Sequence, residues 1–146
     1  MLSCLEERDL VETGINKNDR ATPLASTELA VHRAVYKKTF VSAIVHAHPA
    51  YAVALSFAER EIIPCDLEGS LLLPKVLVLG GDTAVRPGEF AEEIAEALKE
   101  YKIVLVRSHG SFAAGQLLEE AYHYTTTLER SCQILYLLKT LKVSQG

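Results

Sequence analysis

Two histidines, His46 and His48, stand one residue apart in the stretch "AIVHAHPAYAVALS", inside an apolar run and just ahead of Pro49. Side chains alternate faces along a β-strand, so a strand here points both imidazoles the same way, about 7 Å apart along the chain. That spacing lets both reach one metal ion. A third nitrogen ligand is available in His109, which closes the run "KIVLVRSHG" just before Gly110, where the backbone can turn tightly. Three neutral imidazoles leave one coordination position open, the arrangement of a catalytic zinc site rather than a closed structural one. A histidine in an apolar run is also an ordinary hydrogen-bonded core residue, so the ligand reading depends on the fold bringing all three together.

A carboxylate able to move protons beside such a metal is Glu28, in the segment "STELAVHRAVY" that precedes the paired histidines. Its competing reading is a helix-start charge that offsets the macrodipole. His32 lies one turn further along the same face and reads as a core residue or a partner to the site. His123, between Tyr122 and Tyr124, reads as structural. Other chemistries lack their motifs: the chain has no GxSxG elbow, no Walker A loop and no GxGxxG, and "LGGD" is only a turn. Paired histidines also open amidohydrolase barrels, which need a far longer chain.

The elements that must position these residues follow from periodicity. "STELAVHRAVYKK" carries a helix start, with Ser26 or Thr27 as cap, Glu28 in the first turn, and Leu29, His32, Val35 and Tyr36 at helical spacing. "FVSAIVHAH" is apolar on both faces and reads as a buried strand; Pro49 then opens a helix to about Ala58. A short strand is expected at Ile62–Ile63, a loop around Gly69, and a strand in "KVLVLGG". "RPGEFAEEIAEALKEY" reads as an amphipathic helix with Phe90, Ile94, Ala97, Leu98 and Tyr101 inward. Strands at "KIVLVRSHG" and "SFAAG" lead into one long helix from Leu118 to Lys142, with Ala121, Tyr124, Thr125, Leu128, Cys132, Leu135 and Leu138 as its core stripe. Alternating strands and helices make the class α/β, with helices covering a sheet.

Composition excludes several function classes. The chain has 146 residues, enough for one domain with a real core. Its formal net charge is -4 with no basic stripe, which argues against nucleic-acid binding. Charges, Pro and Gly break every apolar run, so no segment can span a membrane as a helix, and no signal peptide is visible. Cys4, Cys65 and Cys132 are odd in number and widely spaced, and read as reduced thiols of a cytoplasmic protein.

Three blocks in order, "STELAVHRAVY", "AIVHAHPAYAVALS" and "VRSHGSFAAGQLLEEAYHYTTTLERSCQI", resemble the class II aldolase/adducin family over nearly the whole chain. The resemblance implies a three-layer α/β/α sandwich around a mixed, largely antiparallel sheet. It implies zinc on His46, His48 and His109, with Glu28 as catalytic acid/base and Ser26 and Thr27 toward the substrate phosphate. The implied reaction is cleavage of a fuculose-1-phosphate-like ketose 1-phosphate to dihydroxyacetone phosphate and an aldehyde. A pentulose-phosphate 4-epimerase of the same family, or a metal-binding non-enzymatic homologue, are the alternatives. A homotetramer with its site at a subunit interface is also implied.

Two departures from the family pattern bear on this. The family carries an N-terminal helix and strands ahead of the point matching Met1, with loops that hold phosphate, so residues 1–146 read as one N-terminally truncated domain. That chain alone is then expected to bind substrate weakly and turn over slowly. The tyrosine proton donor of the family's aldolases falls near Glu68 here, and Tyr122 and Tyr124 do not obviously replace it.

Overall fold

Five strands form one mixed sheet in the computed structural model, which describes residues 6–81 and 87–143. Strand β1 (Ala43–Ala47) lies at one edge and β2 (Glu61–Ile62) at the other. Between them run β3 (Val76–Leu79), β4 (Ile103–Val106) and β5 (Gly110–Gly115), in the order β1-β5-β4-β3-β2. Only β3 and β4 pair in parallel; the other three neighbouring pairs are antiparallel. Helices α1 (Leu29–Lys38) and α4 (Ala91–Ala97) cover one face. On the other face lie α2 (Ala50–Ser56), α3 (Leu67–Leu72) and α5 (Leu118–Val143). The result is the expected three-layer α/β/α arrangement.

Strand periodicity explains both cores. Val104 and Val106 of β4 face α1 and α4, whereas Ile103 and Leu105 face α5, and all four are buried. A strand covered on both faces needs an unbroken apolar run, and "IVLV" supplies it. On β5, Phe112 and Ala114 point to the α1 layer and Ala113 to the α5 layer.

Several expectations need correction. Helix α1 buries Val31, Ala34 and Val35, while Leu29, His32 and Tyr36 line a surface groove. The inward stripe is set by compact apolar side chains, and the amphipathic His and Tyr sit at its margin. Strand β1 starts at Ala43, leaving Phe40 98% exposed. Helix α4 ends at Ala97, though Leu98 stays buried just beyond it. Leu138, assigned to the α5 core stripe, is 43% exposed because α5 outruns the layer beneath it. Cys65 is an exposed thiol, and Cys132 a buried one pushed up to about 12 by burial. Cys4 and Arg86, the expected start of the helix observed as α4, lie outside the described residues. Among the described residues no helix is long and apolar enough to cross a membrane.

The segment around Gly69 is a helix, not a loop. Asp66 caps it, its Oδ1 accepting from the Gly69 N–H at 2.8 Å. Glycine is required there by packing: a Cβ would collide with Ser131 Oγ of α5 and come within 2.7 Å of Pro64 Cβ. Gly69→Ala gains about 1 kcal/mol of helix propensity but overpacks the α3–α5 contact. Overpacking dominates, so urea unfolding should show a net loss of about 1–2 kcal/mol; equal or higher stability would mean α3 moves off α5 freely.

Candidate metal centre

The site forms where the C-terminal end of β1 meets the turn between β4 and β5. Antiparallel register sets His46 opposite Phe112 and Ala47 opposite Ser111. The His46 ring stacks on the buried Phe112 ring, centroids 4.2 Å apart, and its Nδ1 donates to the Ser111 carbonyl at 2.9 Å. That bond fixes the proton on Nδ1 and leaves the Nε2 lone pair free. His48 lies one residue past the strand end, exposed, its ring edge-on to the His46 ring at 4.7 Å.

His109 arrives from the turn at residues 107–109. Val106 pairs with Gly110 across it, and the His109 N–H donates to the Val106 carbonyl at 3.1 Å. Ser108 takes φ 60, a left-handed conformation costly for a residue with a Cβ. The turn is tied twice to the C-terminal end of α2. The Ser108 N–H donates to the buried Ser56 Oγ at 3.0 Å, and Arg107 Nη1 donates to the Phe57 carbonyl at 2.8 Å. Gly110 is needed for space rather than for turning. A Cβ there would strike the Ala47 carbonyl oxygen and sit 2.6 Å from His48 Cδ2.

Three imidazoles therefore converge. His109 Nε2 lies 3.2 Å from His46 Nε2 and 3.4 Å from His48 Nε2, and one ring nitrogen from each of the three lies within 4.8 Å of the others. Nitrogens bound tetrahedrally at about 2.0–2.1 Å stand about 3.3–3.4 Å apart, so the donor set fits a divalent ion such as zinc. Burial holds His46 down to about 4, with the nearby His48 and His109 adding to it against the Ser111 bond. Burial first, then His48, also lowers His109, against the pull of Glu28. Imidazoles kept neutral keep their lone pairs for a metal.

Glu28 is 9% exposed, and its Oε1 lies 3.8 Å from His109 Nε2. It is the N-cap residue of α1, not a first-turn residue, and its side chain caps nothing. The Ser26 hydroxyl instead accepts from the Glu28 N–H at 3.2 Å. Ser26 and Thr27 adjoin the site and are exposed. His32, half-buried, meets the edge of Phe112 at 6.4 Å. His123 is exposed on α5 at 3.9 Å from Glu68. Tyr122 is 62% exposed, and Tyr124 lies under Lys102. A groove of about 540 Å³ under the N-terminal segment contains Ser26 and His32 but none of the three convergent histidines. Phe112, Ser56 and Ser108 also shape the site. The period-two pattern of "SFAAG" could have placed Phe112 beside His46, but no local signal marks the serines.

Residues 1–136 match the Class II Aldolase and Adducin N-terminal domain. An L-fuculose phosphate aldolase of Methanococcus maripaludis is 27% identical over 144 residues, covering 97% of this chain and 77% of that protein. Gamma-adducin of Homo sapiens is 30% identical over 110 residues, 74% of this chain but 15% of that one. The crystal structure of the L-fuculose-1-phosphate aldolase from Thermus thermophilus superposes with a TM-score of 0.85 at 43% identity, covering 97% of this chain and 74% of that one.

The turn and the close approach make opposite predictions. Ser108→Gly should keep zinc affinity and gain about 1 kcal/mol by relieving the left-handed strain. Gly110→Ala should part β1 from β5 and weaken zinc binding at least tenfold in a competition titration. Wild-type affinity in Gly110→Ala would show that the strands need not approach this closely.

Proposed function

The chain belongs to the class II aldolase and adducin N-terminal domain family, and on that premise we propose that it is a zinc-dependent aldehyde-lyase. Its substrate in this reading is a ketose 1-phosphate of the fuculose 1-phosphate type, and its products are dihydroxyacetone phosphate and an aldehyde. The observation that carries the reading is the convergence of three ring nitrogens within 4.8 Å beside a carboxylate that is 9% exposed. A divalent ion held there supplies a Lewis acid toward the ketose carbonyl oxygen.

The chain's own residues do the rest. His46 and His109 stay neutral and offer lone pairs, with His46 steadied by the Ser111 carbonyl and the Phe112 ring. Glu28 takes the proton from the C4 hydroxyl as the C3–C4 bond breaks, and gives it to C3 of the three-carbon fragment. Its low exposure keeps bulk water from competing for that proton. Ser26 and Thr27, exposed beside Glu28, face the substrate phosphate in this reading. The pentulose-phosphate epimerase reading uses the same bond cleavage, and the fuculose-phosphate names of the relatives favour the aldolase. Assembly as a cytoplasmic homotetramer belongs to the same proposal; exposed Leu67, Leu71 and Leu137 support self-association.

One zinc per chain is expected in the purified, zinc-loaded protein, and His46→Ala/His48→Ala should abolish it. In a coupled assay for dihydroxyacetone phosphate, Glu28→Gln should lower the rate by about a hundredfold or more while retaining the metal. A Glu28→Gln rate within threefold of wild type would remove Glu28 from the chemistry.

A further inference from the structure

Glu129, on α5, is far in sequence from every residue of the site and yet reaches the segment that carries His48. Its Oε1 accepts from the Tyr51 N–H at 3.0 Å and its Oε2 from the Ala52 N–H at 3.0 Å. These are free donors of the first turn of α2, whose N-cap, Pro49, has no side-chain acceptor to offer. A charged acceptor satisfying two backbone donors at once is among the stronger hydrogen-bonded arrangements available to a fold. Tyr51 is held to the same helix a second time, its ring 5.5 Å from that of Tyr136.

The three histidines are not fixed in the same way. His46 has a side-chain bond to Ser111 and a stacking partner in Phe112. His109 sits in a turn pinned by Ser56 and Arg107. His48 is exposed, and among the described residues no hydrogen bond holds its Nδ1. Its direction is inherited from the backbone on either side. Upstream, Ala47 is locked into the β1–β5 ladder opposite Ser111. Downstream, only Pro49 separates it from the turn that Glu129 grips.

We infer that Glu129 is a positioning residue for the metal centre: by holding the first turn of α2, it sets the direction of the His48 imidazole. The inference rests on the metal-centre reading above. Groups that orient metal ligands without touching the metal typically govern affinity by about tenfold to a hundredfold. A role in stability alone would lower the unfolding midpoint and leave the affinity of folded protein unchanged.

Glu129→Gln keeps the shape, but its amide nitrogen must face one of the two N–H donors, so one bond is lost. Zinc affinity is measured by competition with a chelator, beside Ile103→Val, a core change on β4 outside the α2 turn that Glu129 holds, which sets the baseline for simple destabilisation. The expected result is a tenfold to hundredfold weaker zinc Kd in Glu129→Gln and none in Ile103→Val. Unchanged affinity in Glu129→Gln, or equal weakening in both variants, would overturn the inference. If wild-type protein binds no zinc, the metal-centre reading fails, and NMR on metal-free protein decides the role of Glu129. Faster amide exchange at Tyr51 and Ala52 together with a more mobile His48 ring in Glu129→Gln would uphold it; an unaltered His48 ring would overturn it.

Discussion

Antiparallel pairing of β1 with β5 sets His46 against Phe112 and brings Ala47 and His48 so close to Gly110 that a methyl group does not fit between them. The rest of the site depends on that contact. His46 gains its aromatic floor and its carbonyl acceptor from β5, and His109 enters from the residue just ahead of β5. A one-residue slip in this register would turn His46 to the α5 face, away from Glu28 and His109. Core residues on both faces oppose such a slip, since it would exchange Ile44 and Val45 of β1 between two packed layers.

The polar groups follow the same logic of placement by the layers. Glu28 comes from the layer above the sheet, where the chain enters α1, and it is buried without capping the helix it precedes. The turn that carries His109 accepts a left-handed serine because the buried Ser56 hydroxyl accepts from the Ser108 N–H and the turn's own Arg107 donates to the Phe57 carbonyl. Strain at one residue is thereby offset by hydrogen bonds to α2, on the other layer. Burial lowers the pKa of His46 and of His109, which suits lone-pair donation and would be unfavourable for charged histidines.

Much of this was legible in the sequence. Residue type and spacing pointed to His46, His48, His109 and Glu28, which the fold brings close together, and apolar runs and helical spacing marked the main strands and the long C-terminal helix. Local pattern failed where distant partners decide the outcome. Gly69 reads as a loop residue, yet a helix crossing at Ser131 demands it. Gly110 reads as a turn residue, yet the close approach of β1 demands it, and the turn's left-handed residue is Ser108. Glu129 sits in an ordinary helical stretch, and its partners lie 77 and 78 residues upstream. On α1, Val35 is buried as its spacing suggests, whereas His32 and Tyr36 at the same spacing are only partly buried.

The central claim is that three imidazoles share one ion. X-ray absorption at the zinc edge of the zinc-loaded protein tests it without any assay of activity. The account predicts three nitrogen scatterers at about 2.0–2.1 Å with the outer-shell pattern of imidazole, and one further light atom. A sulfur scatterer at about 2.3 Å, or an all-oxygen shell without imidazole features, would contradict it.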